Sequence, residues 1–366
     1  MNVKNVKALI VAGGLSSRMK EFKPLLEIGN STIIEMTINN FKQLGVNEIV
    51  VVTGFRGDEI ENRLLNSNIR FVKNINYENT HMFDSVCIGL KEIKDAGFVF
   101  ISPADSPFVQ QYTLNKMLEE INNDINLVQP SFDGKNGHPL LLRMKSVDKI
   151  LKHDGTNGLQ GAIANMEDDF KNISFVDPGI ILDADTPDDY FKLIEFNENS
   201  LCPSLSICRK IQNYFQMSNT VKAHSDKVLM IAMRISNQLN KRGIKLDNKI
   251  IIASCLLHDI AKGRPNHAGV GAEWLKDMGY TKISPIVKEH MELENISRIP
   301  KEKEVVYLAD KMVDGNKIVT IEEKFSAKEK MYENNHEALK TVKYRKNQAM
   351  EIYNSIYSEG ESYESN

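Results

Sequence analysis

The stretch from Ala8 to Gly14 constrains the fold of this chain more than any other. Its first five residues, Ala8-Leu9-Ile10-Val11-Ala12, form an uninterrupted apolar run, which is typical of a strand that is buried on both faces. The run ends at Gly13-Gly14. Two glycines directly after a buried strand let the backbone turn sharply and let bare amide groups approach an anion. The stretch therefore predicts a buried strand that opens into a phosphate-binding loop.

The loop after these glycines carries further groups that suit phosphate. Ser16, Ser17, Arg18 and Lys23 add two hydroxyl donors, one fork-shaped cation and one point charge. No Gly-Lys-Ser/Thr closes the turn, so it is not the common P-loop, and no third glycine follows at the spacing of the dinucleotide fingerprint. A glycine turn with two solvated cations is the alternative, but the whole array favours a triphosphate site.

Strand and helix patterns alternate through the first half of the chain. Apolar residues at near-helical spacing predict a helix over Ser31 to Leu44, stopped by Gly45. Further strands are predicted at Glu48–Thr53, Ile69–Val72, Gly97–Ser102 and Ile125–Pro130. This alternation predicts an α/β domain with a doubly wound, mostly parallel sheet, whose ligands gather at the carboxyl ends of the strands.

Carboxylates follow two of the apolar segments. Asp105 stands between two prolines, which stiffen the backbone and suit the presentation of a carboxylate to a hard cation, although an aspartate before Ser-Pro can also simply begin a turn. Asp183 and Asp185 end another apolar segment; on a strand they would share a face and could bind one cation. Asp188 and Asp189 are expected in the first turn of the next helix, where negative charge is favourable.

These segments, together with Thr53-Gly-Phe-Arg-Gly57 and Gly137-His-Pro139, resemble the nucleotidyltransferase family that attaches a nucleotide to molybdenum cofactor, and in particular its cytidylyl-transferring branch. The resemblance covers about the first 195 residues. It implies transfer of a nucleotide from a nucleoside triphosphate, CTP before GTP, to a phosphate-bearing acceptor such as molybdopterin, with release of pyrophosphate. A molybdoenzyme or its maturation factor is then the expected protein partner. A sugar phosphate or alcohol phosphate is the alternative acceptor, because phosphate contacts do not identify the rest of the molecule.

The resemblance also implies roles for individual residues. Arg18, Lys23 and Asp105 would be catalytic, and Asp105 and Asp185 would hold Mg²⁺. For Ser85 a helix cap and for His138 a structural histidine are the alternatives. The residues expected to bind the nucleotide or border the acceptor are Ala12, Gly13, Gly14, Leu15, Ser16, Arg18, Lys23, Ser85 and His138.

Length and composition indicate two domains in a soluble protein. A chain of 366 residues with 42% hydrophobic and 26% charged residues can bury two cores. A net charge of -3 gives no electrostatic reason to expect nucleic acid or an anionic membrane as a partner. Its four cysteines form no CxxC pair, and no apolar run reaches the roughly 18 residues that a membrane span needs, so we expect a cytoplasmic protein with reduced thiols.

The alternation stops after Phe191, and helical periodicity then continues to the end. We predict a nucleotidyltransferase domain at residues 1–195, a linker at 196–206, an all-α domain at 207–325 and a helical tail at 326–366. Helices of the second domain are expected at Val228–Leu239, Ile250–Leu257, Ile283–Val287 and Val305–Val313.

Histidines and aspartates interrupt these apolar helices. Such groups are costly to bury unless they are paired or coordinated, so metal ligation accounts for them. The members of this set are His224, His258, Asp259, His267, His290 and Asp310. Lys262 follows Asp259 by three residues, which on one helix would place it on the same side, within reach of a phosphate.

The order of these residues from about Asn219 to Asp314 resembles the HD-domain phosphohydrolase superfamily. The resemblance implies hydrolysis of phosphate esters, with Asp259 and Lys262 catalytic. His224, His258, Asp259 and Asp310 would hold one divalent metal, and His267 and His290 a second one bridged by Asp259. Manganese, iron and magnesium all suit such mixed ligands. The alternative to two activities is a regulatory protein in which one domain senses nucleotide and is no longer catalytic.

Overall fold

The computed structural model describes residues 5–14, 19, 21–65, 67–121, 125–164, 166 and 170–357. The chain divides into two compact units, Met1–Glu198 and Asn199–Asn366. Leu15, Ser16, Ser17 and Arg18 of the predicted phosphate loop lie outside the described residues. Among the described residues, every helix is too short or too polar to cross a bilayer.

The first unit is built on one large sheet. Its strands and those of a small ribbon are β1 (Val6–Ala12), β2 (Glu27–Ile28), β3 (Ser31–Thr32), β4 (Glu48–Thr53), β5 (Arg70–Lys73), β6 (Phe98–Pro103), β7 (Leu127–Phe132), β8 (Lys135–Asn136), β9 (Leu140–Arg143) and β10 (Phe170–Ser174). The sheet runs in the order β10-β7-β9-β6-β1-β4-β5, with β8 paired to β7. β9 is antiparallel to both of its neighbours, whereas β6, β1, β4 and β5 are parallel to one another. The predicted mostly parallel α/β sheet is therefore confirmed.

Helices pack on this sheet, and their bounds follow local capping chemistry. They are α1 (Ile33–Gln43), α2 (Gly57–Arg63), α3 (Met82–Glu92), α4 (Gln111–Glu120), α5 (Val147–Leu151), α6 (Gly158–Ala164) and α7 (Pro187–Asn199). Predicted from Ser31, α1 begins two residues later because Ser31 and Thr32 pair with Glu27 and Ile28 in the β2–β3 ribbon. Thr32 then caps the helix in a capping box with Glu35.

The segment that carries Asp183 differs from the prediction. It was expected to be a strand, but Pro178–Ile181 is a short 3-10 helix and the residues after it have no regular structure. The cause is local, because the Asp177 carboxylate accepts a hydrogen bond from the Gly179 amide at 2.9 Å and caps the turn at Pro178. Asp183 and Asp185 therefore do not share a strand face. The prediction of Asp188 and Asp189 in the first turn of a helix is confirmed by α7.

The second unit, as far as it is described to residue 357, is helical apart from one hairpin. Its elements are α8 (Leu205–Tyr214), α9 (Asn219–Lys241), α10 (Asn248–Leu257), α11 (His267–Asp277), α12 (Ser284–Glu289), α13 (Glu302–Lys311), β11 (Val313–Asp314), β12 (Lys317–Ile318), α14 (Ile321–Met331) and α15 (His336–Tyr357). The core lies mainly between α9, α10, α13, α14 and α15. The predicted tail at residues 326–366 thus contains the end of α14 and all of α15, and the apolar face of α15 belongs to this core. Its last residues, 358–366, lie outside the described residues.

Lys262 does not lie on the same helix as the residues before it. α10 ends at Leu257, and the chain continues from His258 in tight turns. Within these turns the Lys262 amide donates to the Asp259 carbonyl at 2.9 Å. This three-residue repeat keeps Lys262 on the side of Asp259, so the expected proximity survives although the predicted helix does not.

Candidate functional sites

A cleft of about 540 Å³ opens at the carboxyl ends of the central strands of the first unit. β1 and β6 are parallel neighbours in register, so the residues that follow them, Gly13 and Asp105, lie side by side. Of the residues expected at the nucleotide and magnesium site, those that line this cleft are Ala12, Gly13, Gly14, Lys23, Ser85, Asp105, His138 and Asp185. Leu15, Ser16 and Arg18 cannot be located because they lie outside the described residues.

Lys23 links two of the carboxylates in the cleft. Its Nζ lies 2.7 Å from an oxygen of Asp185 and 3.8 Å from an oxygen of Asp105. Burial raises the pKa of Asp105 above its ordinary value in spite of Lys23. Partial desolvation, together with the charges of Asp105 and Asp185, raises the pKa of Asp183 to about 6. Three carboxylates around one ammonium leave an excess of negative charge, and hard oxygen ligands of this kind fit Mg²⁺.

Ser85 lies against the glycine turn. It is buried at the start of α3, and a Cβ built on Gly13 would come within 2.9 Å of its Oγ. The Asn74 amide donates hydrogen bonds to Ser85 Oγ at 3.0 Å and to Thr80 Oγ1 at 2.9 Å. Ser85 therefore does not act as the helix cap that was its alternative role, since His81 precedes α3 and Ser85 lies inside it.

Close packing also requires glycine at position 54, as it does at Gly13. A Cβ at Gly54 would lie 2.8 Å from the Gly13 carbonyl oxygen and 2.9 Å from Tyr77, so the turn after β4 packs directly on the turn after β1.

His138 lines the same cleft, and burial lowers its pKa to about 4, so its imidazole is neutral at pH 7. Sequence reasoning missed other lining residues, which lie between β5 and the first residue of α3 in a segment without a motif, namely Tyr77, Glu78, Thr80, His81 and Met82.

The second unit brings its six predicted ligands together. His258 Nε2 lies 3.5 Å from Asp259 and 3.8 Å from Asp310, and His224 Nε2 lies 3.1 Å from Asp310. Asp259 Oδ1 also lies 3.2 Å from His267 Nε2 and 3.5 Å from His290 Nε2. Two triads with ligand atoms within 4.8 Å of one another result, His224-His258-Asp259 and Asp259-His267-His290. Asp259 belongs to both.

Backbone carbonyls orient three of these imidazoles. The Nδ1 atoms of His224, His258 and His290 lie 2.7 to 2.8 Å from carbonyl oxygens of Gly315, Cys255 and Val287 respectively. A carbonyl can only accept, so Nδ1 carries the hydrogen, and in the neutral form of each ring the Nε2 atom has a lone pair. These ring orientations are the ones that metal-bound histidines adopt.

The Nε2 atoms of this cluster suit a metal. Those of His258, His267 and His290 are buried and have no hydrogen-bond partner among the described residues, although carboxylate oxygens lie near them. A buried nitrogen lone pair without a donor is costly. Nitrogen and carboxylate ligands converge there as divalent metals require, so the residues fit one or two such ions.

Electrostatics keep the carboxylates of this site ionised. Burial acts to raise the pKa of Asp259, but His258 and His267 outweigh it and hold the pKa well below its usual range. Burial also acts to raise the pKa of Asp310, but the positive charges of Lys311 and Lys324 outweigh it and hold that pKa far below its usual range. The His258 imidazole, with no exposed surface, has its pKa lowered to about 4 by burial. Lys262 Nζ lies 3.0 Å from Asp259, and its side chain is half exposed.

The first unit is an α/β domain with a mostly parallel sheet, and the second is a helical domain with a cluster of histidines and aspartates. Residues 8–170 match the family model described as MobA-like NTP transferase domain, and residues 221–313 match the model described as HD domain. The chain therefore carries a MobA-like NTP transferase domain followed by an HD domain.

Individual relatives match the first unit. The chain is 29% identical over 186 residues to the molybdenum cofactor cytidylyltransferase of Escherichia coli K12. The aligned region covers 50% of this chain and 93% of that enzyme. It is 27% identical over 160 residues to the bifunctional protein GlmU of Ruthia magnifica. That alignment covers 42% of this chain and 35% of GlmU. A nucleotidyl transferase from Methanothermobacter thermautotroptrophicus superposes with a TM-score of 0.48 at 21% identity, over 53% of this chain and 98% of that structure.

Proposed function

We propose that the chain is a bifunctional enzyme. Its first unit transfers a nucleotide from a nucleoside triphosphate, with CTP preferred over GTP, to a phosphate-bearing acceptor, and molybdopterin is the proposed acceptor. Its second unit hydrolyses a phosphate ester with the help of a divalent metal. The observation that supports the first activity best is the cleft in which the Gly13-Gly14 turn, Lys23, Asp105 and Asp185 meet.

The cleft supplies what nucleotidyl transfer needs. In that reaction an acceptor phosphate oxygen attacks the α-phosphorus, and the bond to the leaving pyrophosphate breaks while negative charge accumulates on the phosphates. Gly13, Gly14 and Lys23 all line the cleft, which supports a role for the two amides as donors to these oxygens and for Lys23 as their cation. Asp105 and Asp185 would hold Mg²⁺, which neutralises phosphate charge when bound. Asp105 lies on the rigid Pro103–Pro107 segment that positions it.

The similarity to a cytidylyltransferase supports both the base and the acceptor that we propose. A competition experiment across CTP, GTP, UTP and ATP tests the base: binding of labelled CTP should be displaced best by unlabelled CTP. Pyrophosphate release measured with molybdopterin, a sugar phosphate and an alcohol phosphate tests the acceptor. Release should occur with molybdopterin and disappear in Lys23→Ala. Turnover only with a sugar or alcohol phosphate would replace the acceptor, and turnover with none would refute the transferase.

The second activity rests on the convergence of four imidazoles and two carboxylates around buried Nε2 atoms that lack hydrogen-bond partners. His224, His258, Asp259 and Asp310 would hold one divalent ion, and His267, His290 and Asp259 could hold a second one. When bound there, such an ion would lower the pKa of water and neutralise phosphate oxygens. Lys262 is half exposed beside Asp259, which supports its role in binding the phosphate of the ester, and the Nδ1 hydrogen bond of His258 fixes the orientation of that ring.

Metal analysis tests this activity without knowledge of the substrate. Protein purified in Mn²⁺ and passed over a desalting column should retain metal in stoichiometric amount, and His258→Ala should lose it. Hydrolysis of p-nitrophenyl phosphate and bis(p-nitrophenyl) phosphate should follow the metal content. Protein that binds nucleotide but retains no metal would refute the hydrolase and support a nucleotide sensor instead. A molybdoenzyme or its maturation factor is the protein partner to test by co-purification.

A further inference from the structure

Two buried lysines surround the last ligand of the histidine and aspartate centre. Lys311 Nζ lies 2.7 Å from Asp310 Oδ2 and donates to the His290 carbonyl oxygen at 2.9 Å. Lys324 Nζ lies 3.9 Å from Asp310 Oδ1 and donates to the Val313 carbonyl oxygen at 2.6 Å. The side chains of Lys311 and Lys324 are 5% and 8% exposed, respectively. Lysine is rarely buried to this extent unless it is paired.

The second of these lysines comes from outside the matched HD domain. That match ends at residue 313, whereas Lys324 lies on α14. α14 packs against α15, whose Gln348 is hydrogen-bonded to both the amide and the carbonyl of Leu293, three residues after His290. The two C-terminal helices therefore contact the segments that carry both Asp310 and His290.

Charge balance explains what the lysines do. Asp310 is a buried carboxylate, and a buried carboxylate without a cation nearby is strongly unfavourable. A divalent metal held by His224 and His258 would supply that cation, but only while it is bound. Lys311 contacts Oδ2, which leaves Oδ1 facing His224 and His258. Lys324 lies near Oδ1 as well, but at 3.9 Å it is beyond hydrogen-bond distance, so both lysines supply positive charge to Asp310 and Oδ1 still faces the histidines.

We infer that Lys311 and Lys324 are the side-chain counter-ions of Asp310, which keep the centre folded when no metal is bound and weaken the binding of the metal. The inference rests on the proposed metal-dependent function of this unit. Each lysine stabilises the ionised Asp310 in the metal-free protein, and the same positive charge repels an incoming divalent cation. Loss of Lys324 should therefore make the fold depend more on metal, and not less.

A purely structural role for Lys324 predicts a different result. If it only joined α14 to the end of α13, its removal would lower stability by the same amount with and without metal. If instead it held Asp310 in a geometry that metal binding needs, its removal would weaken metal binding. One quantity therefore distinguishes the three roles, namely the rise in melting temperature that Mn²⁺ causes. Removal of Lys324 increases this rise if the lysine is a counter-ion, leaves it unchanged if the lysine only joins the helices, and decreases it if the lysine holds Asp310 in place for the metal.

Trp274 gives a readout that is specific to this unit. It is the single tryptophan of the chain, lies on α11 and stacks on Phe215 with ring centroids 4.4 Å apart. Thermal unfolding of the full-length protein, followed by tryptophan fluorescence, should be recorded in chelator and in Mn²⁺ for wild type, Lys324→Met and Lys324→Arg. Lys330→Met is the matched control, because Lys330 is an exposed lysine on the same helix.

We expect Lys324→Met to melt at lower temperature than wild type in chelator, and to show a larger Mn²⁺-induced rise. Calorimetric titration with Mn²⁺ should give a dissociation constant lower than that of wild type by about tenfold, since one unit charge acts at short range. Lys324→Arg and Lys330→Met should match wild type. A rise equal to or smaller than that of wild type overturns the inference while leaving the metal site intact. A wild type that binds no Mn²⁺ overturns both the inference and the proposed hydrolase.

A double-mutant cycle covers the case in which Lys324→Met does not fold in chelator. Asp310→Asn removes the charge that Lys324 is inferred to balance. The double variant Lys324→Met/Asp310→Asn should then be more stable than Lys324→Met alone in metal-free buffer. A double variant that is no more stable shows that Lys324 does not act through Asp310 and overturns the inference.

Discussion

The two candidate sites handle charge in opposite ways. In the cleft of the first unit the carboxylates border an open space, and the Asp185 side chain is 48% exposed. In the second unit Asp259 is 3% exposed and His258 is fully buried. An open site can receive its metal together with the phosphates of a nucleotide, whereas a closed one must hold metal through its own ligands. The comparison predicts that the first unit binds Mg²⁺ with its substrate and the second binds its metal without one.

The largest expected effect separates the two chemistries. Asp105→Asn should reduce pyrophosphate release by about 10³-fold, because it removes a charge placed to act at the reacting phosphates. Metal retention by the second unit should not change. Asp188→Asn, which makes the same change on the exposed first turn of α7, serves as the control. Equal losses in both variants would show that net charge, and not position in the cleft, matters.

Metal should stabilise the two units unequally. Mn²⁺ at a hundredfold excess over its dissociation constant should raise the free energy of unfolding of the second unit by about 2.7 kcal/mol, as any ligand of the native state does. Chemical denaturation followed by Trp274 fluorescence measures this. The first unit should gain protection from hydrogen exchange only when nucleotide and Mg²⁺ are added together. Protection by Mg²⁺ alone would contradict the distinction between an open and a closed site.

A third test compares a buried carboxylate that has neutral neighbours, Asp177, with one that has cationic neighbours, Asp310. Asp177 in the first unit is surrounded by neutral donors, the amides of Gln110 and Gly179 and the Thr113 hydroxyl, and burial raises its pKa to about 6. The native state therefore binds the proton more tightly than the unfolded chain, so stability rises as the pH falls from 7 to 5 and is lost as the pH rises through 6.

Asp177→Asn should remove this gain. Hydrogen exchange of α4, corrected for the intrinsic rate, should show a deficit of the variant that is larger at pH 5 than at pH 7 by about 1 kcal/mol. A deficit that is the same at both pH values would mean that Asp177 titrates normally. Asp310 is the contrasting case, because lysines surround it and hold its pKa low.

The smallest effect is a change in metal count. His267 belongs to one triad and His224 to the other, with Asp259 in both. His267→Ala should reduce the retained Mn²⁺ from two ions to one per chain while leaving the other triad complete. Elemental analysis after desalting decides the point. An unchanged count in His267→Ala would show that the second triad binds no ion.

Sequence reasoning performed best where one physical requirement fixes a pattern. The buried run before Gly13 and the alternation of strand and helix predicted the parallel centre of the sheet, and histidines in apolar helices predicted a cluster that does form. It failed where local capping decides. Asp177 turns the Pro178–Ile181 segment into a short helix instead of a strand, and α10 ends before His258.

Other parts of the sites were beyond sequence patterns because they depend on tertiary packing. β9 runs antiparallel between β6 and β7, which periodicity alone does not indicate. Lys311 directly follows Asp310, so a lysine beside a ligand could have been noticed. Lys324 gave no such indication, since one lysine in a charged helix resembles any other until α14 is seen to pack on the end of α13.

The carbonyls that orient His224, His258 and His290 belong to the main chain at Gly315, Cys255 and Val287. Every residue type carries the same carbonyl group, so a single substitution at those three positions changes the side chain and leaves the acceptor in place. Evolution can delete one of the histidines in one step, but it can reorient them only by shifting the backbone. We expect descendants of this protein to lose the centre abruptly when they lose it, and not to drift through gradually weakened forms.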